Sequence, residues 1–237
     1  MLFRSYALES NFSGNNNTAN GFFALHNNSL GSNNTACGSY ALSRNTAGSN
    51  TAFGCEALYN NTDRGELVAV GYQALYNNGT GASTNKHSTA NTAVGFKSLY
   101  SNNIGRANTA NGYQALYNNT TGNNNTADGN DALFTNSTGN FNSAIGFKTL
   151  YSNISGNNNT GCGSYALIYN TTGSDNTANG YLALSENTSG SYNTAVGYGA
   201  GNNPNGNTYC TFLGYEADNA TTDRKSTRLN SSHRIRY

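Results

Sequence analysis

The chain has 237 residues, a formal net charge of +1, 28 glycines, 17 tyrosines, one proline and no tryptophan. Leu, Ile, Val and Phe together make up about 15% of it, too little to fill a conventional globular core and a share that by composition alone belongs with disordered chains. No apolar run is long enough for a secretory h-region or a membrane-spanning helix, so no membrane span is expected.

A fixed period outweighs the composition, because identical units can stack identical side chains. A degenerate first copy, Arg4-Ser-Tyr-Ala-Leu8, opens the array in mid-repeat, and the chain is expected to be incomplete at both ends. From there a marker glycine preceding x-x-Ala-Leu recurs at Gly21, Gly38, Gly54, Gly71, Gly95, Gly112, Gly129, Gly146, Gly163, Gly180, Gly197 and Gly214. The steps are 17, 16, 17 and 24 residues, then 17 seven times; the 24 is one unit plus a seven-residue insertion near 78–90. The consensus is G-[YF]-x-A-L-Y-x-N-T-T-G-x-x-N-T-A-x.

Helix is excluded within the unit, since Gly falls twice in nearly every copy and Asn, Thr and Ser compete with helix. Asn-Thr-Ala-x-Gly-Tyr-x-Ala-Leu-Tyr reads as a strand bounded by Asn/Thr/Gly turns. The second glycine of each unit (Gly105, Gly122, Gly139, Gly156, Gly173, Gly190) is expected to supply a positive φ at the corner. The fold class is therefore all-β, a parallel β-solenoid with one 17-residue repeat per coil across residues 1–222. Some 13 coils at about 4.8 Å each give a rod roughly 60 Å long.

Several columns follow from stacking. Asn91, Asn108, Asn125, Asn142, Asn159, Asn176 and Asn193, with Asn17, Asn34 and Asn50 before them, form an amide ladder. Gly95, Gly112, Gly129, Gly146, Gly163 and Gly180 are the structural glycines. Thr92, Thr109, Thr126, Thr160, Thr177 and Thr194, with Ser143 in line, form the candidate ligand or ice face: either a hydroxyl ladder that fills the strand or the flat array an ice-binding surface requires. Tyr100, Tyr117 and Tyr151 mark an aromatic column that Phe134 interrupts. The Leu column shares strand parity with the Ala before each glycine, while Val, Ile and aromatic positions around the glycine have the opposite parity. Both strand faces thus carry apolar columns, and the second wants a partner, which points to a homo-oligomer.

Asn-Thr-Ala-Val-Gly at 91–95 and 193–197, with Asn-Ser-Ala-Ile-Gly at 142–146, resembles the Asn-Ser-Val-Ala-Ile-Gly phrase of trimeric autotransporter adhesin heads, and similar repeats occur in tail-fibre proteins. The resemblance implies a left-handed β-roll, a side-by-side homotrimer and an extracellular, cell-surface or virion-surface setting in which the rod binds a glycan or host protein. The unit here is longer than is usual in that family.

No enzyme is expected, for a uniform rod gathers no Ser, His and acid into one pocket, and His26 and His87 lie in different repeats. No cofactor or metal site is expected either. Asp128-Gly-Asn-Asp131 lacks the period of a calcium β-roll, and Gly197-x-Gly199-x-Gly201 precedes no helix. Cys37, Cys55, Cys162 and Cys210 read as small buried thiols; stacking would hold Cys37 and Cys55 about 8 Å apart, too far to bridge. Sequons such as Asn119-Thr-Thr arise from composition. The tail at 223–237 leaves the repeat: Asp223 to His233 resembles a translated sequencing adapter, and the tail is set aside as artefactual or disordered. Without its five basic residues and Asp223 the repeat body holds 7 basic and 10 acidic residues, about −3, and keeps no basic patch for nucleic acid.

Overall fold

A computed structural model describes residues 5–80, 88–202 and 207–218 and the backbone of 227–230. The insertion core at 81–87 and the ends of the tail lie outside the described residues. The strands are β1 (Thr18–Asn20), β2 (Thr35–Cys37), β3 (Asn50–Phe53), β4 (Leu67–Val70), β5 (Thr92–Val94), β6 (Thr109–Asn111), β7 (Thr126–Asp128), β8 (Ser143–Ile145), β9 (Thr160–Cys162), β10 (Thr177–Asn179), β11 (Thr194–Val196), β12 (Cys210–Leu213) and β13 (Thr227–Asn230). They form one sheet in sequence order, parallel from β1 to β12, with like positions paired: Thr109 opposite Thr126, Ala110 opposite Ala127. Twelve parallel strands bound about eleven full turns, fewer than the 13 coils expected, because the degenerate first copy contributes turns without a strand. β13, in the tail, enters the sheet antiparallel to β12.

The strands are shorter than the sequence suggests: three or four residues, ending before the marker glycine rather than running through Ala-Leu-Tyr. That glycine is position 0 of each coil. At Gly112 φ is +139°, and a Cβ there would meet the carbonyl of Gly129 in the next coil. Beyond it, Gln114 at position +2 and Leu116 at +4 both adopt left-handed φ of 52°, as does Asn124 at −5 to the next marker, with φ 56°. This pattern explains the core. Regular strands alternate their faces, yet Ala115 and Leu116 are adjacent and both fully buried. The left-handed turns on either side of the Ala point two successive side chains inward.

Such φ values are uncommon in L-residues and worst for β-branched ones. Among the described residues 36 non-glycine positions have positive φ, and none is Val, Ile or Thr, although Thr is abundant in this chain. Leu therefore fills the core at +4 because it is bulky without branching at Cβ.

Coils are hydrogen-bonded to both neighbours around their whole circuit. In the coil that begins at β6, Thr109, Leu116, Asn118 and Thr120 donate backbone N–H groups to the following coil, at 2.9 to 3.0 Å. Gly112, Gln114 and Asn124 donate to the preceding coil, at 2.8 to 3.0 Å. The interior is a stack of Ala, Leu and Asn, and two of the places where its pattern breaks are compensated. Gly161 replaces an Ala where Thr149 replaces another, and a Cβ on Gly161 would lie 2.5 Å from the Thr149 methyl. Gly201 stands in the Leu position facing Phe212, whose ring takes the vacated space.

Leu116→Ile tests the backbone argument. It keeps volume, so packing alone costs under about 1.5 kcal/mol. With a branched Cβ forced into a left-handed conformation the loss should reach about 2–4 kcal/mol in chemical denaturation. A loss near zero would show that the conformation at Leu116 is not required.

Candidate interaction surfaces

The interior polar groups are built first, because they hold every outward column in register. Asn91, Asn108, Asn125, Asn142, Asn159, Asn176 and Asn193 lie inside the coil at −4, each fully buried or nearly so. Asn125 Nδ2 donates to Asn108 Oδ1 at 3.2 Å and to the Gly139 carbonyl at 2.8 Å, while the Asn125 backbone N–H donates to the same Oδ1 at 2.9 Å. A second ladder at +7 was equally regular in the sequence and was missed there. Asn119 Nδ2 donates to Asn102 Oδ1 at 2.9 Å and to the Gly122 carbonyl at 3.0 Å, and Asn136 Nδ2 donates to Asn119 Oδ1 at 2.9 Å.

The two ladders meet at the second glycine: the Gly122 carbonyl accepts from both Asn108 and Asn119. This corrects the role expected for that glycine. Gly105, Gly122, Gly139, Gly156, Gly173 and Gly190 do not have positive φ. A Cβ at Gly122 would collide with Asn119 Oδ1 and the Gly139 carbonyl, so crowding by the ladders demands glycine.

With the inside fixed, three columns face outward from each strand and its corner. Thr109, Thr126, Thr160 and Thr177 are exposed, Thr92 and Thr194 half-buried, and all are paired in register along the sheet. The next column, at −1, carries Phe53, Val70, Val94, Ile145, Val196 and Leu213 among polar residues. Position +1 carries exposed rings, among them Tyr72, Phe96 and Tyr113, stacked at 5.2 to 5.4 Å between centroids. In coils β3 to β5 the two columns merge, so that Phe53, Val70, Tyr72, Val94 and Phe96 form one exposed apolar stretch, each 37 to 43% accessible.

A further aromatic column runs at +5. Tyr59, Tyr76, Tyr100, Tyr117, Phe134 and Tyr151 stack at 5.1 to 5.3 Å with planes within 9°. Phe134 continues this column instead of interrupting it, because the stack needs a ring and not a hydroxyl. Lys97 Nζ sits 5.4 Å from the Phe96 centroid and 5.3 Å from that of Tyr100, and Lys148 bridges Phe147 and Tyr151 likewise, tying the two aromatic columns together.

The thiols correct another expectation. Only Cys210 is buried; Cys37 is half-buried, and Cys55 and Cys162 are exposed, because they occupy outward positions. All four are free. Burial, then the charge of Glu56, pushes the Cys55 thiol above its ordinary value. Asp128 accepts from Asn111 Nδ2 at 3.0 Å, and Asp131 faces Lys148, with burial raising its carboxyl pKa and the lysine opposing that. Among the described residues no group of His, Cys, Asp and Glu is placed to hold a metal ion, and no helix is long and apolar enough to cross a membrane. No protein-family model, curated protein or solved structure matches the chain.

The ladder makes a quantitative prediction. Asn119→Ala removes three side-chain hydrogen bonds and strands the Asn136 donor and the Asn102 acceptor in the interior. Orphaned buried polar groups cost about 1–3 kcal/mol each, so a total loss of about 2–5 kcal/mol is expected by denaturation. Thr138→Ala, at an exposed position, should stay within about 0.5 kcal/mol.

Proposed function

We propose that this β-solenoid is a rigid extracellular segment, an adhesin head or tail-fibre shaft at a cell or virion surface, that assembles as a homotrimer and binds by repeated contact rather than catalysis. The observation that carries the reading is the exposed apolar stretch on β3 to β5, Phe53, Val70, Tyr72, Val94 and Phe96. Contiguous apolar surface of this kind marks an association site. Three chains set side by side would remove it from water, and a rod that repeats one outward pattern every coil would offer a glycan or host protein many equivalent contacts, so that weak single contacts add to avidity.

Light scattering on the sized full chain should give three times the 25.0 kDa chain mass. Val94→Glu combined with Phe96→Glu, both at outward positions, should return it to one chain mass with its circular dichroism unchanged. A wild-type chain that stays monomeric at all concentrations would overturn the trimer.

A second reading rests on the in-register Thr column: the chain is a monomeric ice-binding solenoid. Thr109→Lys with Thr126→Lys should then abolish ice shaping. Under the first reading the same variant assembles as the wild type does, and neither protein shapes ice.

A further inference from the structure

The +5 column is built as a row of paired phenols, and nothing in the binding role above uses it. Tyr59 and Tyr76 lie 5.3 Å apart with planes 7° from parallel, Tyr76 and Tyr100 5.2 Å and 9°, Tyr100 and Tyr117 5.1 Å and 6°. Rings displaced along the rod without rotation carry each ortho carbon about as far from its counterpart as the centroids are from each other. Backbone hydrogen bonds next to each ring fix that spacing: Asn60 N–H to the Tyr76 carbonyl at 3.0 Å, Asn77 to Tyr100 at 3.1 Å, Ser101 to Tyr117 at 3.0 Å. All four rings are half-buried, so a small oxidant or an electron acceptor reaches them while a second protein chain meets only their edges.

We propose that this column is a site of oxidative cross-linking, in which a peroxide and a haem peroxidase, or an equivalent one-electron oxidant, join tyrosines of adjacent coils as dityrosine. Each of two neighbouring phenols gives up one electron and its hydroxyl proton, leaving two phenoxyl radicals with spin at the ortho carbons. These pair in a new carbon–carbon bond, and each ortho hydrogen moves to its own phenol oxygen to restore aromaticity. The peroxide O–O bond breaks, takes the two electrons and two protons, and leaves as two waters. The product is one chain lighter by two hydrogens per link, with coils stapled along the rod axis. Phe134 ends the run, because a phenyl ring keeps the stack but forms no phenoxyl radical.

The test treats the dilute full chain with hydrogen peroxide and a haem peroxidase, then maps dityrosine-bearing peptides by mass spectrometry. Links from Tyr59 to Tyr76 and from Tyr100 to Tyr117 are expected within single chains, together with a raised thermal midpoint. Tyr76→Phe combined with Tyr117→Phe leaves no adjacent phenols from Tyr59 to Tyr151, and the natural Phe134 shows that the column accepts phenyl rings. That variant should lose these links while Tyr192 and Tyr209, stacked elsewhere at 4.8 Å, remain able to couple. Wild type oxidised after unfolding in guanidinium should lose the neighbour pattern. Links that join chains, that join non-neighbouring tyrosines in the folded protein, or that are equally frequent after unfolding would overturn the proposal.

Discussion

Everything in this molecule depends on buried asparagine amides bonding from coil to coil. The interior contains little more than Ala and Leu between two columns of Asn, and an unpaired amide there would cost more than its neighbours' apolar contacts return. Each Asn escapes that penalty because the neighbouring coils, through the same column or the facing one, place a backbone or amide partner at the same height. The requirement propagates along the chain, which is why the sequence repeats its polar phrase so closely. Register is thus a consequence of chemistry inside the rod, and the outward columns of Thr, aliphatic and aromatic side chains inherit it without having to specify it.

The same dependence accounts for what could be read in advance. Period, strand class, parallel stacking and the Asn column at −4 were legible, since each needs only the spacing of residues and the rule that like stacks on like. The second Asn column was just as visible at +7, but in a segment taken for a surface turn. What the sequence did not disclose were conformations. Leu116 and Leu133 look like ordinary strand residues, and a left-handed Leu has no signature in one repeat. The signature is collective: the absence of Val, Ile and Thr from three positions of every coil, in a chain that uses Thr freely elsewhere.

The candidate surfaces divide in the same way. The Thr column could be placed on the sheet face from alternation alone. Exposure of Cys55 and Cys162 could not, because a thiol is usually a core residue and position outweighs residue type here. Nor could the exchange of volume between Gly161 and Thr149, since those two meet only when successive coils close on each other.

The rod has two kinds of joint along its length. At Leu67 the ladder at −4 lacks its amide, although the Leu67 backbone still donates to Asn50 Oδ1 at 3.2 Å. The next rung, Asn91, finds its acceptor across the interior in Asn78 of the other ladder, at 3.4 Å. Asn17, Asn34 and Asn50 lean on the other column in the same way, through Asn11, Asn28 and Asn45, whereas from Asn108 to Asn176 each amide donates to the Asn before it in its own column. In a one-dimensional stack, stability is set by nearest neighbours, so an axial load is shared by every joint and released at the weakest. An end-to-end pull therefore meets cross-braced joints in the first part of the rod and joints held by each column alone in the second.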